Sequence, residues 1–354
     1  MSEVPPVLLL LGARSPYGRS VASAVLASGL PVRSVFVPSD AAWERVRARA
    51  LARRTRRKGR LRRALRRWLD LHTPRTVPGG EPAAEPDLDP GVTEAELRAR
   101  CLGAGIVWLE VDEVRSEAFL SLVRASGAEL LLSAAFPLVL PQKVLDAARR
   151  GAINFHPSLL PRCRGSHPIF WTLASGEREG GVTAHLMRRE VDAGPIVAQL
   201  PLPLGDDDTY ASVYRRAMAA SPGLVAQVEA FLRAGQEPTA QDASQATRFP
   251  EDGEEDHALR WAEQSPGEVI ALVRTGQAFT WLRGRRLGIL RASVARGAAP
   301  EGTPGRVLQV SAQGFLVQAS GGAVEVAEVV WQGRAHRAGH LAEALRLAPG
   351  EALA

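Results

Sequence analysis

Two apolar runs separated by a helical pattern open this sequence and limit the folds that it can adopt. Pro6 to Leu11 is continuously apolar, which is typical of a strand covered on both faces. An apolar-periodic segment then runs to Leu26 and stops at Ser28-Gly29, and Val32 to Val37 is a second strand-like run. A strand, a helix and a strand of these lengths form a βαβ unit, in which the two strands are parallel. The sequence therefore predicts an α/β fold with a parallel sheet.

Composition limits the class of protein. The chain has 354 residues, enough for two domains with cores of their own, and 45% of them are hydrophobic. We find no apolar run near the length of a membrane span, which predicts a soluble protein without stable membrane insertion. The only cysteines, Cys101 and Cys163, lack metal-ligand spacing, so we expect a cytoplasmic location, no disulfide and no metal.

The stretch Gly151–Gly165 carries the strongest chemical signal. Asn154 and His156 are two residues apart on a predicted strand, so their side chains share one face. A carboxamide donor beside an imidazole can stabilise an oxyanion and move a proton. The next five residues begin with Pro157 and end with Pro161, which hold this stretch extended. Asp192 follows later in an Asp-x-Gly sequence. Asn154, His156 and Asp192 are therefore the candidate catalytic residues.

The motif Asn-x-His-x-Ser-Leu-Leu-Pro-x-x-Arg-Gly, followed by Asp-x-Gly, resembles that of the folate-dependent formyltransferases. This family includes methionyl-tRNA formyltransferase, the sugar-nucleotide N-formyltransferases and glycinamide ribonucleotide formyltransferase. The resemblance covers most of the chain, except about residues 41–90. It implies a Rossmann-like catalytic domain over 1–235, a linker over 236–262 and an OB-like small β-barrel over 263–348. Short alternating runs between Phe279 and Val330, separated by glycine-rich turns, independently favour such a barrel.

The resemblance also implies roles for individual residues. Asn154 and His156 would donate hydrogen bonds to the negative oxygen that forms when an amine attacks the formyl carbon of 10-formyltetrahydrofolate. Asp192 would orient or charge the imidazole and help to move the proton. The folate pocket would be lined by residues from three segments: Leu138, Val139, Leu140, Ser158, Leu159, Leu160, Pro161, Arg188, Arg189, Glu190 and Val191.

An arginine-rich stretch departs from an ordinary globular pattern. Arg45 to Arg67 holds twelve arginines and Lys58 without an acidic residue, and without these thirteen charges the net of +6 would become −7. A sparse apolar seam predicts a basic amphipathic helix, broken near Gly59. Polyanion binding, a solvated charged face and membrane-surface contact all remain open. In methionyl-tRNA formyltransferases a basic loop at a similar place engages the tRNA acceptor stem, which makes four central arginines the candidate nucleic-acid contacts: Arg53, Arg54, Arg56 and Arg57.

Three functions compete for this sequence. The first is formylation of charged initiator tRNA, which the basic stretch and the predicted barrel favour. The second is formylation of a small amine, such as an aminosugar nucleotide or a natural-product intermediate. It is favoured by the segments 181–185 and 192–199, which look closer to the sugar-type enzymes. The third is a non-catalytic RNA-binding protein that keeps the fold, against which the three candidate catalytic residues argue.

Further elements complete the prediction. We expect helices over Lys143 to Arg150, Tyr210 to Met218 and Val225 to Leu232, and a flexible linker over Thr73 to Pro90. His167 lies close to the motif in sequence, and both substrate contact and a surface position remain open for it.

Overall fold

The first three elements form the predicted βαβ unit. The computed structural model describes residues 4–57, 81–82, 88, 91–296 and 302–354, with only the backbone described for 50–57 and 81–82. Strand β1 (Val7–Leu11) is fully buried and is parallel to β2 (Val32–Pro38). Between them, helix α1 (Pro16–Ala27) begins after Ser15, whose hydroxyl accepts a hydrogen bond from the Gly18 N–H. The N-terminal unit therefore follows from local sequence signals.

The remaining elements of the N-terminal part alternate between helices and strands. They are α2 (Asp40–Arg57), β3 (Glu81–Pro82), α3 (Glu94–Gly103), β4 (Val107–Val111), α4 (Glu117–Ala125), β5 (Leu130–Ala134), α5 (Gln142–Leu145), β6 (Ala152–His156), β7 (Arg164–Gly165), α6 (Pro168–Ala174), β8 (Glu179–Leu186), β9 (Ile196–Pro203) and α7 (Tyr210–Ala234).

Seven of these strands form one sheet, in the order β4-β2-β1-β5-β6-β8-β9. The first five are parallel, and β8 and β9 are added antiparallel. The strand order reverses between β1 and β5, which is where open α/β sheets bind ligands, beyond the carboxyl ends of the strands. Strand β6 lies next to β5 and ends at this edge with His156.

Both faces of this sheet are covered, which explains why β1 is continuously apolar. Val7, Leu9 and Leu11 belong to a core shared with α1 and α7, whereas Leu8 and Leu10 belong to a second core shared with α4. A strand buried on both faces loses the alternation of polar and apolar residues that marks a half-exposed strand. The α/β class with a parallel sheet that the sequence predicted is confirmed.

Helix α7 is one continuous helix of 25 residues, whereas two helices were predicted. Pro222 lies inside it and cannot donate a hydrogen bond to the carbonyl of Met218, four residues earlier. The hydroxyl of Ser20, from α1, donates to that carbonyl at 2.9 Å. The neighbouring helix therefore satisfies the acceptor that the proline leaves open, and the helix continues.

Helix α5 is shorter than predicted and makes up a single turn before β6. The prediction extended it to Arg150, but it ends at Leu145. The following amides of Ala147, Ala148 and Gly151 donate to carbonyls three residues back, at 2.9 to 3.3 Å. These bonds form successive turns instead of an α-helix.

The C-terminal part is an antiparallel, curled sheet that agrees with the predicted small barrel. From the connecting segment onward, the elements are β10 (Arg248–Phe249), α8 (Pro266–Val273), β11 (Phe279–Leu282), β12 (Arg285–Val294), β13 (Val307–Val310), β14 (Phe315–Ala319), β15 (Gly322–Trp331), β16 (Arg334–Arg337) and α9 (Ala338–Ala344). The main strand order of the sheet is β11-β12-β15-β14-β13, with β16 paired to β15 and to β3. Helices α8 and α9 and strand β16 were absent from the prediction.

The last residues of the chain join the two ends of this curled sheet. Ala354 exchanges two backbone hydrogen bonds with Trp281 of β11, at 2.8 and 2.9 Å. The Leu353 N–H donates to Gly305 at 2.7 Å, and Glu351 accepts from Val307 of β13 at 2.9 Å. The outer strands β11 and β13 therefore find backbone partners in residues 351–354.

Among the residues that the structure describes, no helix combines the length and the apolar character that crossing a bilayer requires.

Candidate active site

The candidate site lies where the carboxyl ends of β1, β5 and β6 meet. The Gly12 N–H after β1 donates to the carbonyl of Ala134 at 2.9 Å, so the two chains leave the sheet side by side. A Cβ on Gly12 would come within 1.9 Å of the Ala135 carbonyl oxygen. Only glycine permits this close approach of the two chains next to β6.

Strands β6 and β8 bring Asn154 beside His185. The two residues are direct partners in the antiparallel register, and Asn154 Nδ2 lies 3.3 Å from His185 Nε2. His185 Nδ1 donates to the carbonyl of Leu186 at 3.0 Å, and its Nε2 faces both Asn154 Nδ2 and the Asp192 carboxylate. This contact directs the amide nitrogen of Asn154 toward the imidazole.

His156 is buried at the end of β6, with 5% of its surface exposed. Its Nε2 lies 3.0 Å from the carbonyl oxygen of Cys163, which can only accept, so Nε2 carries the hydrogen. In the neutral ring Nδ1 then holds the lone pair, and it lies 3.8 Å from Asp192 Oδ2. A proton taken up at Nδ1 would therefore lie beside the carboxylate.

Asp192 connects the separate parts of the site. Its Oδ2 accepts a hydrogen bond from the Gly165 N–H at 2.9 Å, and its Oδ1 lies 3.4 Å from His185 Nε2. The residue adopts a left-handed conformation with a φ of 58°, which is uncommon outside glycine, although aspartate adopts it more readily than most residues. In the same loop, a Cβ on Gly194 would lie 1.7 Å from the Leu186 carbonyl oxygen, so the glycine of the Asp-x-Gly sequence lets the loop fold against β8.

The electrostatics of the site hold Asp192 charged and His156 neutral. Burial opposes the charge on Asp192, but His156, His185 and the Gly165 N–H outweigh it and keep the pKa of this carboxyl well below its usual range. Burial lowers the pKa of His156, although Asp192 and the Cys163 carbonyl favour its protonated form. At neutral pH the site thus combines a neutral base with a carboxylate that can stabilise the conjugate acid.

The structure brings together Asn154, His156 and Asp192, which are 38 residues apart at most in the sequence, and adds groups that the sequence analysis missed. His185 has a sequence signal, because Thr183 and His185 alternate with apolar residues on β8 and share one face. Gln241 and Thr247 have none, because they lie in a polar connecting segment. Thr247 Oγ1 accepts from the Cys163 N–H at 2.8 Å and so anchors the motif loop.

Comparison with known proteins places this chain in a family. A family model described as formyl transferase matches residues 85–228, and one described as formyl transferase, C-terminal domain, matches residues 253–341. A methionyl-tRNA formyltransferase of Anaeromyxobacter dehalogenans is 37% identical over 262 residues, which are 72% of this chain and 83% of that protein. The chain belongs to the formyl transferase family. It is therefore an enzyme of formyl-group transfer.

Other members of the formyl transferase family resemble the chain over much of its length. A methionyl-tRNA formyltransferase of Geotalea uraniireducens is 31% identical over 255 residues, covering 70% of this chain and 80% of that protein. Among solved structures, the sugar 3N-formyl transferase WlaRD has a TM-score of 0.57 at 12% identity, covering 92% of this chain and 98% of its own. A sugar N-formyltransferase from a Shewanella species has a TM-score of 0.52 at 17% identity, covering 80% and 96%. The structural similarities establish a shared fold.

The predicted folate-pocket residues of this formyltransferase differ in accessibility. Val139 and Val191 expose apolar side chains, with 66% and 40% of their surfaces accessible. Ser158 and Leu160 are buried, and the Ser158 hydroxyl donates to the Arg162 carbonyl at 2.9 Å, so these two shape the loop. The other predicted residues divide into buried Leu140, half-buried Leu138, Leu159 and Pro161, and exposed Arg188, Arg189 and Glu190.

The arginine-rich stretch of this formyltransferase is helical as far as it is described. Arg53, Arg54, Arg56 and Arg57 lie in the last turns of α2, which begins at Asp40 rather than at Arg45. The rest of the predicted basic segment, residues 58–67, and most of the predicted linker 73–90 lie outside the described residues. Helix α2 follows directly on β2, so it starts at the same sheet edge as the candidate site.

His167 joins a second cluster of titratable groups. It stands before α6 in a left-handed conformation with a φ of 50°, and 51% of its side chain is exposed. Its Nδ1 donates to Asp252 Oδ1, and Asp252 Oδ2 accepts from His257 Nε2 at 2.7 Å. The side chain therefore lies partly at the surface, and this contact ties α6 to the segment that connects the two domains.

Proposed function

We propose that this enzyme transfers the formyl group of 10-formyltetrahydrofolate to an amine, with Asn154, His156 and Asp192 as catalytic residues. The observation that carries the proposal is the arrangement around Asp192, which contacts the Gly165 amide and lies beside the imidazole of His156. This arrangement lies at the sheet edge where α/β folds bind ligands. It supplies the groups that acyl transfer to an amine requires.

Each group has a distinct part in the proposed reaction. As the amine nitrogen attacks the formyl carbon, the carbonyl oxygen becomes negative, and Asn154 donates a hydrogen bond to it. The family resemblance implies that His156 also donates to this oxygen, but its Nε2 hydrogen is donated to the Cys163 carbonyl, so we assign it the role of base: it accepts the proton of the attacking amine at Nδ1, beside Asp192. The proton then passes to the folate nitrogen as its bond to the formyl carbon breaks. Buried Asp192 stabilises the imidazolium while it exists.

Charged initiator tRNA is the proposed acceptor. The relatives with 31 to 37% identity are named methionyl-tRNA formyltransferases, and α2, which holds the four arginines, begins at the active-site edge of the sheet. Exposed Arg188, Arg189 and Arg248 add positive charge around the motif loops. A polyphosphate acceptor would be attracted to these groups by its charge. A charged tRNA as acceptor also implies action in the cytoplasm.

A small amine is the second candidate acceptor. The segments 181–185 and 192–199, whose sequences resemble the sugar-type enzymes, contribute His185 and Asp192 to the site itself. An aminosugar nucleotide also carries phosphates, so the arginines alone do not decide between the two acceptors.

A formyl-transfer assay decides between these acceptors. The enzyme is given 10-formyltetrahydrofolate with either charged initiator tRNA or a panel of aminosugar nucleotides, and N-formylated product is measured for each. We expect a kcat/KM for the tRNA that exceeds that for every small amine by at least about a hundredfold. Formylation of a small amine with no activity on tRNA would contradict the tRNA proposal. Absence of any folate-dependent product would contradict the proposed reaction.

A further inference from the structure

The segment that connects the two domains reaches back into the active site. Before Gln241, Thr239 exchanges two backbone hydrogen bonds with Ile196, at 2.7 and 2.8 Å. After it, β10 (Arg248–Phe249) pairs in parallel with β7, and the Thr247 carbonyl accepts from the Arg164 N–H at 3.0 Å. The connection is therefore attached on one side to the chain just after the Asp192 loop, and on the other to the end of the His156 motif.

The Gln241 side chain lies between these attachments and uses both ends of its amide. Its Nε2 donates to the carbonyl of Asp192 at 2.8 Å and to that of Gly194 at 2.7 Å. Its Oε1 accepts from Nε and Nη2 of Arg164, at 3.1 and 2.7 Å. Carbonyls only accept and a guanidinium only donates, so the orientation of this amide follows from its partners.

The hydrogen bonds of Gln241 act on Asp192, whose backbone conformation and carboxylate orientation both need support. Asp192 has a positive φ, which costs conformational free energy unless neighbouring groups stabilise it. Its carboxylate is oriented by the Gly165 amide, and Gly165 directly follows Arg164. Gln241 therefore contacts the Asp192 backbone directly. It also contacts the Arg164 side chain, and Arg164 precedes Gly165, whose N–H donates to the Asp192 carboxylate.

We infer that Gln241 is a positioning residue of the active site, which fixes the Asp192 carboxylate beside His156 through bonds from the interdomain connection. This inference rests on the catalytic roles proposed for Asp192 and His156. It follows that the connecting segment contributes to the geometry of the catalytic centre, in addition to linking the two domains.

The substitution Gln241→Glu distinguishes the contact with Arg164 from the hydrogen bonds to the Asp192 and Gly194 carbonyls. It keeps the shape of the side chain and an oxygen for Arg164, but it replaces the donor to Asp192 and Gly194 by a second acceptor. We expect kcat to fall about tenfold to a hundredfold, because displacing a catalytic group by a small distance has effects of this size. The KM for the folate should stay within about twofold. Gln241→Ala should lower kcat by a similar factor.

The matched control is Gln245→Ala in the same connection. Gln245 is exposed and its Nε2 donates to Asp242, which lies within the connection, at 3.0 Å. We expect its kcat within about twofold of wild type. Circular dichroism and thermal melts of all variants separate unfolding from loss of positioning. Equal losses in the Gln245 and Gln241 variants would overturn the inference.

A double-mutant cycle tests whether Gln241 acts through Asp192. In the Asp192→Asn background, adding Gln241→Glu should cost no more than about a further twofold in kcat, because residues that act together are non-additive. The acid limb of the pH profile gives a second measure. A displaced carboxylate supports the protonated form of His156 less, so we expect the limb of Gln241→Ala, which adds no charge of its own, to move to lower pH.

The outcomes distinguish this inference from the proposed function. If Asp192→Asn itself keeps wild-type turnover, the proposed role of Asp192 fails and the inference fails with it. If Asp192→Asn is impaired but Gln241→Glu keeps wild-type kcat and Gln241→Ala keeps the wild-type pH profile, only the inference is wrong. A full additive loss in the double variant would likewise overturn the action through Asp192.

Discussion

At the residue scale, Asp192 depends on contacts that are distant in the sequence. Its carboxylate lies next to His156 from β6 and His185 from β8, and it accepts from the Gly165 amide. Burial opposes the charge of this carboxyl, and the histidines and the Gly165 amide together hold its pKa well below its usual range. Together they explain why an Asp-x-Gly sequence, which is usually only a turn, can hold a catalytic group.

Removal of each candidate catalytic residue tests this arrangement. We expect Asn154→Ala, His156→Ala and Asp192→Ala each to lower kcat at least about a hundredfold, because each removes a donor, a base or its charge partner. Steady-state formyl transfer measures the loss, and circular dichroism checks that the fold is retained. Turnover near the wild-type level in the His156 variant would contradict the proposed mechanism.

At the scale of single elements, helix α7 shows how a neighbour can rescue an unfavourable residue. Ser20 donates to the carbonyl that Pro222 leaves without a donor. We expect Ser20→Ala to lower the free energy of unfolding by about 1 kcal/mol or somewhat more, because a part-buried carbonyl loses its partner. Urea denaturation measures this. Ser244→Ala, on an exposed turn, is a control for the loss of a serine hydroxyl, and an equal loss there would contradict the explanation.

Helix α2 is the element in which the proposed tRNA acceptor can be tested. Replacing Arg53, Arg54, Arg56 and Arg57 by glutamine removes four positive charges outside the catalytic residues. If they contact phosphates, the KM for tRNA should rise and the slope of log affinity against log salt should flatten by several units. The kcat and the KM for the folate should change little.

Salt titrations of tRNA binding by the wild type and the four-arginine variant provide the measurement. Replacing the same number of arginines at Arg98, Arg124, Arg149 and Arg150, which are exposed and precede β4, β5 and β6 at the opposite edge of the sheet, is the matched control. If the α2 variant keeps full affinity, or if the wild type binds no tRNA at low salt, the proposed contact is wrong. The small amine would then be the favoured acceptor.

At the scale of the whole molecule, the two domains meet around a buried carboxylate. Asp252 links His167 before α6 to His257, and Trp171 of α6 stacks on Phe249 with ring centroids 4.5 Å apart. Phe170, from the same helix, belongs to the core of the C-terminal domain. The contact therefore combines aromatic packing with charged hydrogen bonds.

The Asp252 contact predicts sensitivity to acid. Burial opposes its charge, but the two histidines outweigh this and hold the pKa of Asp252 well below its usual range. Its ordinary value is about 3.9, so the stabilisation is complete above about pH 4 and is lost as the pH falls further toward the folded-state pKa. We expect Asp252→Asn to lower the melting temperature at pH 7 and to flatten its decline below pH 4. A melting profile identical to wild type would contradict the role of Asp252.

The sequence by itself determined the fold class and the motif. Val7–Leu11 and Ala152–His156 are strands because of local apolar patterns, and period-two spacing already places Asn154 and His156 on one face. Their assignment to the formyl transferase family agrees with the comparisons. These features depend on neighbours within a few residues, which is why the chain shows them directly.

Only the tertiary structure decided how the site is completed. His185 meets Asn154 through strand register, and Gln241 reaches Asp192 from 49 residues away. Ser20 allows α7 to pass Pro222, and residues 351–354 join the outer strands of the C-terminal sheet. In each case a polar group is satisfied by a partner far along the chain. Such pairings depend on how elements pack, so local sequence patterns could not reveal them.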